Sequence, residues 1–163
     1  GDSVASLSPD ARFLVTRGYN PDNEGATRPP QPDQERVLSL YDLSSLDQPS
    51  HRDFALPNPP SYFQNALWTG DSQRVYILIL SGQPWEEPGE SYGLWSFDVS
   101  TGEISQVASI PDIHLLLSAT SSGGELVLLT PQRGNEAMVV HIPSGESQAF
   151  ELPIDALIVD VSP

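Results

Sequence analysis

The chain has 163 residues, enough for one domain with a hydrophobic core, and its lack of cysteine excludes disulfides, thiolate metal sites and cysteine nucleophiles. Its 22 acidic side chains outnumber seven cationic ones, all of them Arg, and the formal charge of −15 disfavours nucleic acid and anionic membranes as partners. With 16 prolines, 12 glycines and no apolar run of transmembrane length, the sequence predicts neither long helices nor membrane insertion.

Three segments in chain order share one pattern, a polar turn that opens into a β-rich run. They are SPDARFLVTRG, TGDSQRVYILILSG and SSGGELVLLTPQRG. Each is followed by a second β-rich run and turn, in LSLYDLSSLD, LWSFDVSTGE and MVVHIPSGES. A last short run then stops at Pro57, Pro111 or Pro153, because proline cannot continue a strand ladder. Each unit therefore predicts four short strands.

The spacing of these units predicts their architecture. The stop prolines are 54 and 42 residues apart, and the turn glycines Gly102 and Gly145 are 43 apart. Four strands in about 42 to 44 residues is the size of one β-propeller blade. We therefore predict an all-β fold, a partial β-propeller of three four-stranded antiparallel blades. A β-sandwich is the alternative, but it does not require the same turns to recur in the same order.

The predicted boundaries make the whole chain a single β-propeller fragment. The repeats cover residues 4–57, 64–111 and 114–153, and residues 156–163 are the start of a further blade because LIVDVSP repeats the pattern of VASLSP. Two long inserts interrupt the repeats, YNPDNEGATRPPQPDQE in the first and GQPWEEPGES in the second. Trp68 and Trp95 fall within strands and are predicted to be core residues.

The segments SLSPDARFLV, LYDL and LWSFDVSTGEI resemble TolB-type and WD-type propeller repeats. In that family a Ser-Pro-Asp turn joins the first two strands, and an aromatic-x-Asp pattern followed by Gly-Glu joins the last two. The third repeat departs from this pattern, because its first turn is SSGG and His141 stands where Asp42 and Asp98 stand. The resemblance implies the fold and leaves function open.

In such a blade, the connection from strand two to strand three lies on the same face as the connection to the next blade. Both long inserts are of the first kind, so exposed aromatic and acidic residues are predicted to gather on one face, where a partner would bind. The predicted partner-binding residues are Tyr19, Tyr62, Phe63, Trp85, Glu86, Glu87 and Tyr92.

Trp85 followed by two acids is the strongest single candidate on that face. An aromatic side chain beside carboxylates suits a basic or Arg-rich partner. Alternatively, Trp85 folds over the prolines of its own loop.

Metal and catalytic signals are weak. Asn20, Asp22 and Glu24 resemble the alternating ligands of a calcium loop, but the twelfth position is Gln31 instead of a bidentate acid, so a solvated loop is favoured. His51, His114 and His141 are scattered, and no nucleophile elbow or phosphate-binding loop is present. We predict no catalytic residue and no cofactor.

Three functions are compatible with these features. The first is a non-enzymatic interaction or assembly module, whose open blade edges are covered by a protein partner or by self-association because three blades cannot close a ring. The second is the propeller domain of a larger hydrolase-type enzyme, and the third a small-molecule or glycan-binding lectin-like domain. Resemblance to TolB-type propellers favours a periplasmic or extracellular location, with a cytoplasmic one possible.

Overall fold

A computed structural model describes residues 5–19, 36–57, 61–81, 92–110, 115–121, 123–131 and 134–153. These residues form twelve strands and, in the ranges just given, no helix. The strands are β1 (Ala5–Leu7), β2 (Phe13–Tyr19), β3 (Arg36–Asp42), β4 (Ser50–Ala55), β5 (Ser61–Trp68), β6 (Arg74–Ser81), β7 (Tyr92–Asp98), β8 (Ile104–Ser109), β9 (Leu115–Thr120), β10 (Leu126–Pro131), β11 (Glu136–His141) and β12 (Ser147–Glu151).

The strands form three separate four-stranded sheets, each a simple antiparallel meander in chain order. We call them blade 1 (β1–β4), blade 2 (β5–β8) and blade 3 (β9–β12). The first strands of consecutive blades are neighbours, since β1 contacts β5 and β5 contacts β9. Three sheets in sequence, and not the two of a sandwich, confirm the predicted partial β-propeller.

Strand β6 shows how the blades pack. Its apolar residues alternate between two neighbours: Val75 and Ile77 belong to the core shared with blade 1, and Tyr76 and Leu78 to the core shared with blade 3. All four are at most 1% exposed. A strand buried on both faces needs a continuous apolar run, which is why VYILIL does not alternate with polar residues.

The first core, between blades 1 and 2, contains Trp68 at 6% exposure, as predicted, with Trp95 partly buried against it. The second core, between blades 2 and 3, is built around Leu94, Leu117 and Leu129. In the part of the chain that the structure describes, no helix is long and apolar enough to span a membrane.

Candidate interaction surfaces

The turns that join the first two strands of blades 1 and 2 are the same structure. In blade 1, the Ser8 hydroxyl donates to Asp10 Oδ1 at 2.6 Å and accepts from the Phe13 N–H at 2.8 Å. In blade 2, Thr69 donates to Asp71 at 2.6 Å and accepts from the Arg74 N–H at 3.1 Å. These side chains satisfy the turn's own backbone, so the turns are short and closed.

The turn that joins the first two strands of blade 3 has the same backbone conformation but no aspartate. Ser121 pairs with Leu126 through the backbone, as Ser8 pairs with Phe13, and the Ser121 hydroxyl accepts from the N–H groups of both Glu125 and Leu126 at 3.0 Å. The fourth turn residue has a left-handed backbone in every blade, with φ of 57° at Ala11, 60° at Ser72 and 70° at Gly124. The sequence departure in the third repeat therefore leaves the turn geometry intact.

The turns between the third and fourth strands are also equivalent in blades 2 and 3. The Asp98 carboxylate accepts from the N–H groups of Ser100 and Thr101 at 3.0 and 2.9 Å, and from both hydroxyls. Gly102 follows with φ of 77°. In blade 3, His141 stands in place of the aspartate, with Nδ1 3.1 Å from the Ser144 hydroxyl, and Gly145 has φ of 70°.

Four turn aspartates have pKa values below their ordinary value. Hydrogen bonds from the hydroxyls of Ser8, Ser44, Thr69 and Ser100 are the main cause, and backbone N–H groups of the same turns add to it. The aspartates are Asp10, Asp42, Asp71 and Asp98. These turns lie along one edge of the blades, which we call the tight-turn edge. Because their pKa values are lowered, its four aspartates are ionised at mildly acidic pH and above.

The opposite edge carries the inserts, and we call it the long-loop edge. Residues 20–35 connect Tyr19 to Arg36, which are paired across β2 and β3. Residues 82–91 connect β6 to β7, whose pairing reaches Leu80 and Tyr92. Both inserts therefore begin and end at paired strands, and they lie on the same edge as the connections between consecutive blades.

Two of the predicted partner-binding residues are buried. Phe63 is 0% exposed in the first core, and Tyr92 is 1% exposed in the second, where its hydroxyl donates to the Leu115 carbonyl at 2.9 Å. The expectation that these side chains are exposed is wrong. Strands β5 and β7 begin at Ser61 and Tyr92, so both residues already belong to ladders that pack on a neighbouring blade.

The exposure of the other predicted partner-binding residues stays a prediction. Tyr19 ends β2 and Tyr62 is the second residue of β5. Trp85, Glu86 and Glu87, the calcium-loop residues Asn20, Asp22 and Glu24, and residues 156–163 lie outside the described residues. Among the residues that are described, no group of three His, Asp or Glu side chains could hold a metal ion.

Blade 3 has an apolar face with no blade on it in the described structure. Aligning the blades by their turns and strand pairing makes Leu126, Leu128, Ala137, Val139, Phe150 and Leu152 equivalent to Phe13, Val15, Leu38, Leu40, Phe54 and Leu56. The blade 1 set forms the first core together with blade 2. In the blade 3 set, which we call the free face, Leu126 is 42% and Phe150 37% exposed.

Comparison with known proteins gives the fold alone. Kuenenia stuttgartiensis hydrazine synthase is similar over 85% of this chain and 39% of its own, with a TM-score of 0.55 and 12% identity. Pyrococcus horikoshii acylaminoacyl peptidase is similar over 94% of this chain and 26% of its own, with a TM-score of 0.55 and 8% identity. The chain therefore spans two fifths or less of these two structures.

A third similar structure is the β-propeller domain of Myceliophteria thermophila Cps50 (Swd1), over 92% of this chain and 73% of that one, with 13% identity. Its TM-score of 0.33 is too low to carry an argument. No family model and no curated protein matches the sequence.

Proposed function

We propose that the chain is a non-enzymatic interaction and assembly module that binds a protein partner on its long-loop edge. The contrast between the two edges carries this proposal. The tight-turn edge consists of short turns whose side chains hydrogen-bond within the turn, whereas inserts of 16 and 10 residues extend from the long-loop edge. Rigid strands that present long loops on one side are a common binding arrangement.

The proposed contact residues on this edge are Tyr19, Tyr62, Trp85, Glu86 and Glu87. The chain's charge of −15 favours a basic partner, and Trp85 beside two carboxylates offers stacking and charge to an arginine. A partner segment rich in arginine is therefore the proposed ligand of the second insert.

Excision of that insert tests the proposal. Because Leu80 and Tyr92 are paired, a short Gly-Asn-Gly turn can replace residues 82–91 while the ladder stays closed. We expect an octa-arginine peptide to bind the intact chain, and to bind at least about tenfold more weakly to the excised chain and to Trp85→Ala. Glu125→Gln, which removes one charge from the tight-turn edge, is the control. Equal affinity for all four proteins would contradict the proposal.

The free face of blade 3 supports the assembly part of the proposal, and we propose residues 157–161 as its occupant. The first strand begins four residues after the stop proline in blades 2 and 3, at Ser61 after Pro57 and Leu115 after Pro111. The same spacing after Pro153 gives Leu157. Each first strand lies beside that of the preceding blade, so this segment would lie beside β9.

The side-chain pattern of the segment agrees with this placement. The residue just before the first turn faces the preceding blade, as Trp68 does when its Nε1 donates to the Ser6 carbonyl. Val161 holds this position before Ser162, and Val159 is two residues earlier, where Ala66 packs in the first core. Asp160, between them, holds the position of Leu67, which packs toward the following blade.

Two variants with the same new residue test the placement. Val161→Asn puts a polar amide on the free face, so we expect a lower midpoint of urea unfolding and more binding of an apolar dye. Asp160→Asn changes the other side of the same segment and should leave both unchanged. Equal effects of the two variants would contradict the placement. A doubled mass in light scattering that Phe150→Ser returns to monomer would instead assign the face to a second copy.

A further inference from the structure

The interface between blades 2 and 3 contains a polar groove of about 530 Å³. Blade 2 contributes Ser96, Asp98, Glu103 and Ser105, together with Arg74 and Gln106, and the turn of blade 3 from Ile142 to Gly145 closes the other side. No part of this groove belongs to the long-loop edge or to the free face.

The groove exists because blade 2 has small side chains where blade 1 has large ones. Leu40 pairs with Arg52 in blade 1, and their equivalents Ser96 and Ser105 pair in blade 2. Leu38 pairs with Phe54, whereas the equivalent Leu94 pairs with Ala108. Blade 2 also has a β-bulge at this point, so that Val107 and Ala108 both pack against the second core. The Ser96–Ser105 pair therefore leaves the space that a leucine and an arginine occupy in blade 1.

The interface between blades 1 and 2 shows which side chains occupy the equivalent space there. Phe54 packs edge-on against Phe97 of blade 2, with ring centroids 4.9 Å apart. Arg52 lies over the Phe54 ring and donates to the Val99 carbonyl at 3.4 Å. Between blades 1 and 2, therefore, an arginine of the protein itself fills the position that is open between blades 2 and 3.

The charges in the groove favour a cation. The Arg74 guanidinium is 4.0 Å from Asp98 Oδ2, so these two charges offset one another. Glu103 adds a carboxylate for which the described residues supply no salt-bridge partner, and the chain's charge of −15 strengthens the negative potential.

The neutral groups are suited to a planar donor. The hydroxyls of Ser96 and Ser105 sit on directly paired residues, and Gln106 lies beside them. A guanidinium presents five N–H donors in one plane and matches several neighbouring acceptors at once, which the point charge of an ammonium does not.

We propose that this groove binds a guanidinium group, in the place that Arg52 holds at the sister interface. The Glu103 carboxylate accepts its charged hydrogen bonds, and the Ser96 and Ser105 hydroxyls accept the remaining ones. The source is either an arginine side chain of a peptide or free arginine.

Titration of the intact chain with single-arginine ligands tests the inference. The ligands are free L-arginine, the blocked peptide acetyl-Gly-Arg-Gly-amide and its lysine counterpart. We expect the arginine peptide to bind more tightly than the lysine peptide. Binding of free arginine alone would assign the source to the small molecule, and binding of both to the shared group.

Matched variants locate the site. Glu103→Gln should weaken binding about tenfold because it removes a charged hydrogen-bond acceptor, and Glu125→Gln, an exposed acid outside the groove, should not. The double variant S96L/S105R copies blade 1 into blade 2 and should abolish binding while the protein stays folded. Excision of residues 82–91 should have no effect, which separates this site from the long-loop edge. Equal binding of arginine and lysine, no binding, or binding unchanged in Glu103→Gln would overturn the inference.

Discussion

Trp68 of blade 2 donates a hydrogen bond from its Nε1 to the Ser6 carbonyl of blade 1 at 3.0 Å, and its ring stacks on Phe13, also of blade 1, with centroids 6.4 Å apart. Trp68 thus joins the first two blades by both its polar and its apolar parts. Ser6 lies in a three-residue strand that pairs with β2 of its own blade, and the contact with Trp68 ties that strand to blade 2 as well.

Truncation of the Trp68 side chain should weaken the packing between blades 1 and 2 and so destabilise the fold. We expect Trp68→Ala to lower the free energy of unfolding by about 3–5 kcal/mol, as for other large core aromatics. Trp68→Phe keeps most of the packing and loses the hydrogen bond, so about 1–2 kcal/mol is expected. Urea unfolding measures both, and equal losses for the two variants would mean that the ring itself contributes little.

The left-handed residues of the first turns predict opposite effects in two blades. Ala11 has φ of 57° and is exposed, so Ala11→Gly should raise the free energy of unfolding by about 0.5–1 kcal/mol after the entropy cost of glycine. In Gly124→Ala, the new Cβ would lie 2.6 Å from Thr69 Cγ2, so a loss above about 2 kcal/mol is expected. Thermal unfolding distinguishes the two signs, and a stabilising Gly124→Ala would contradict the account.

The repeat pattern predicted the blades because turn chemistry and stop prolines are local properties. Ser8, Thr69 and Ser121 each make the hydrogen bonds of their turn with residues at most five positions away. The third turn was expected to be a departure, yet its backbone is the same, because Ser121 accepts two N–H groups and Gly124 adopts the required φ.

The sequence-based predictions that are wrong concern side-chain exposure that depends on a neighbouring blade. Phe63 and Tyr92 follow loop-like segments, so the pattern suggested exposure, but each points into a core supplied by another sheet. The polar groove was missed for the same reason. Ser96 and Ser105 are ordinary strand residues in the sequence, and only comparison with Leu40 and Arg52 across the sister interface shows that they leave space.

The Asp98 turn predicts a pH dependence of stability. Hydrogen bonds from Ser100 and Thr101 lower the pKa of Asp98 below its ordinary value of 3.8 in the folded chain. The folded state therefore holds the proton less tightly than the unfolded state. The stabilisation is complete above about pH 5 and is lost as the pH falls through the lowered folded pKa.

The difference in unfolding free energy between Asp98→Asn and the unchanged chain separates this contribution from the repulsion among the other acidic side chains. We expect the destabilisation by Asp98→Asn to be largest near pH 7 and to shrink as the pH falls from about 5 to about 3. Asp47→Asn, which removes the same charge from an exposed site, is the control. A pH-independent difference for Asp98→Asn, or the same curve for both variants, would contradict the assignment.

Gly102 and Gly134 separate backbone strain from steric contact between blades. Both have left-handed φ values, 77° and 85°, so alanine at either position is expected to cost about 1–2 kcal/mol from the backbone alone. They differ in what a Cβ would meet. At Gly134 nothing lies within 4 Å, whereas at Gly102 the added carbon would overlap the ring of Phe54 in the neighbouring blade.

Phe54 cannot yield freely, because it packs edge-on against Phe97 and lies beneath Arg52. We therefore expect Gly102→Ala to lower the free energy of unfolding by about 1–3 kcal/mol more than Gly134→Ala, the usual cost of overpacking. In the Phe54→Ala background, which lacks the clashing ring, adding Gly102→Ala should cost only about as much as Gly134→Ala does in the unchanged chain. Urea unfolding of the unchanged chain, Gly102→Ala, Phe54→Ala and the double variant gives the coupling energy directly. A value near zero would show that the turn between β7 and β8 does not rest on blade 1.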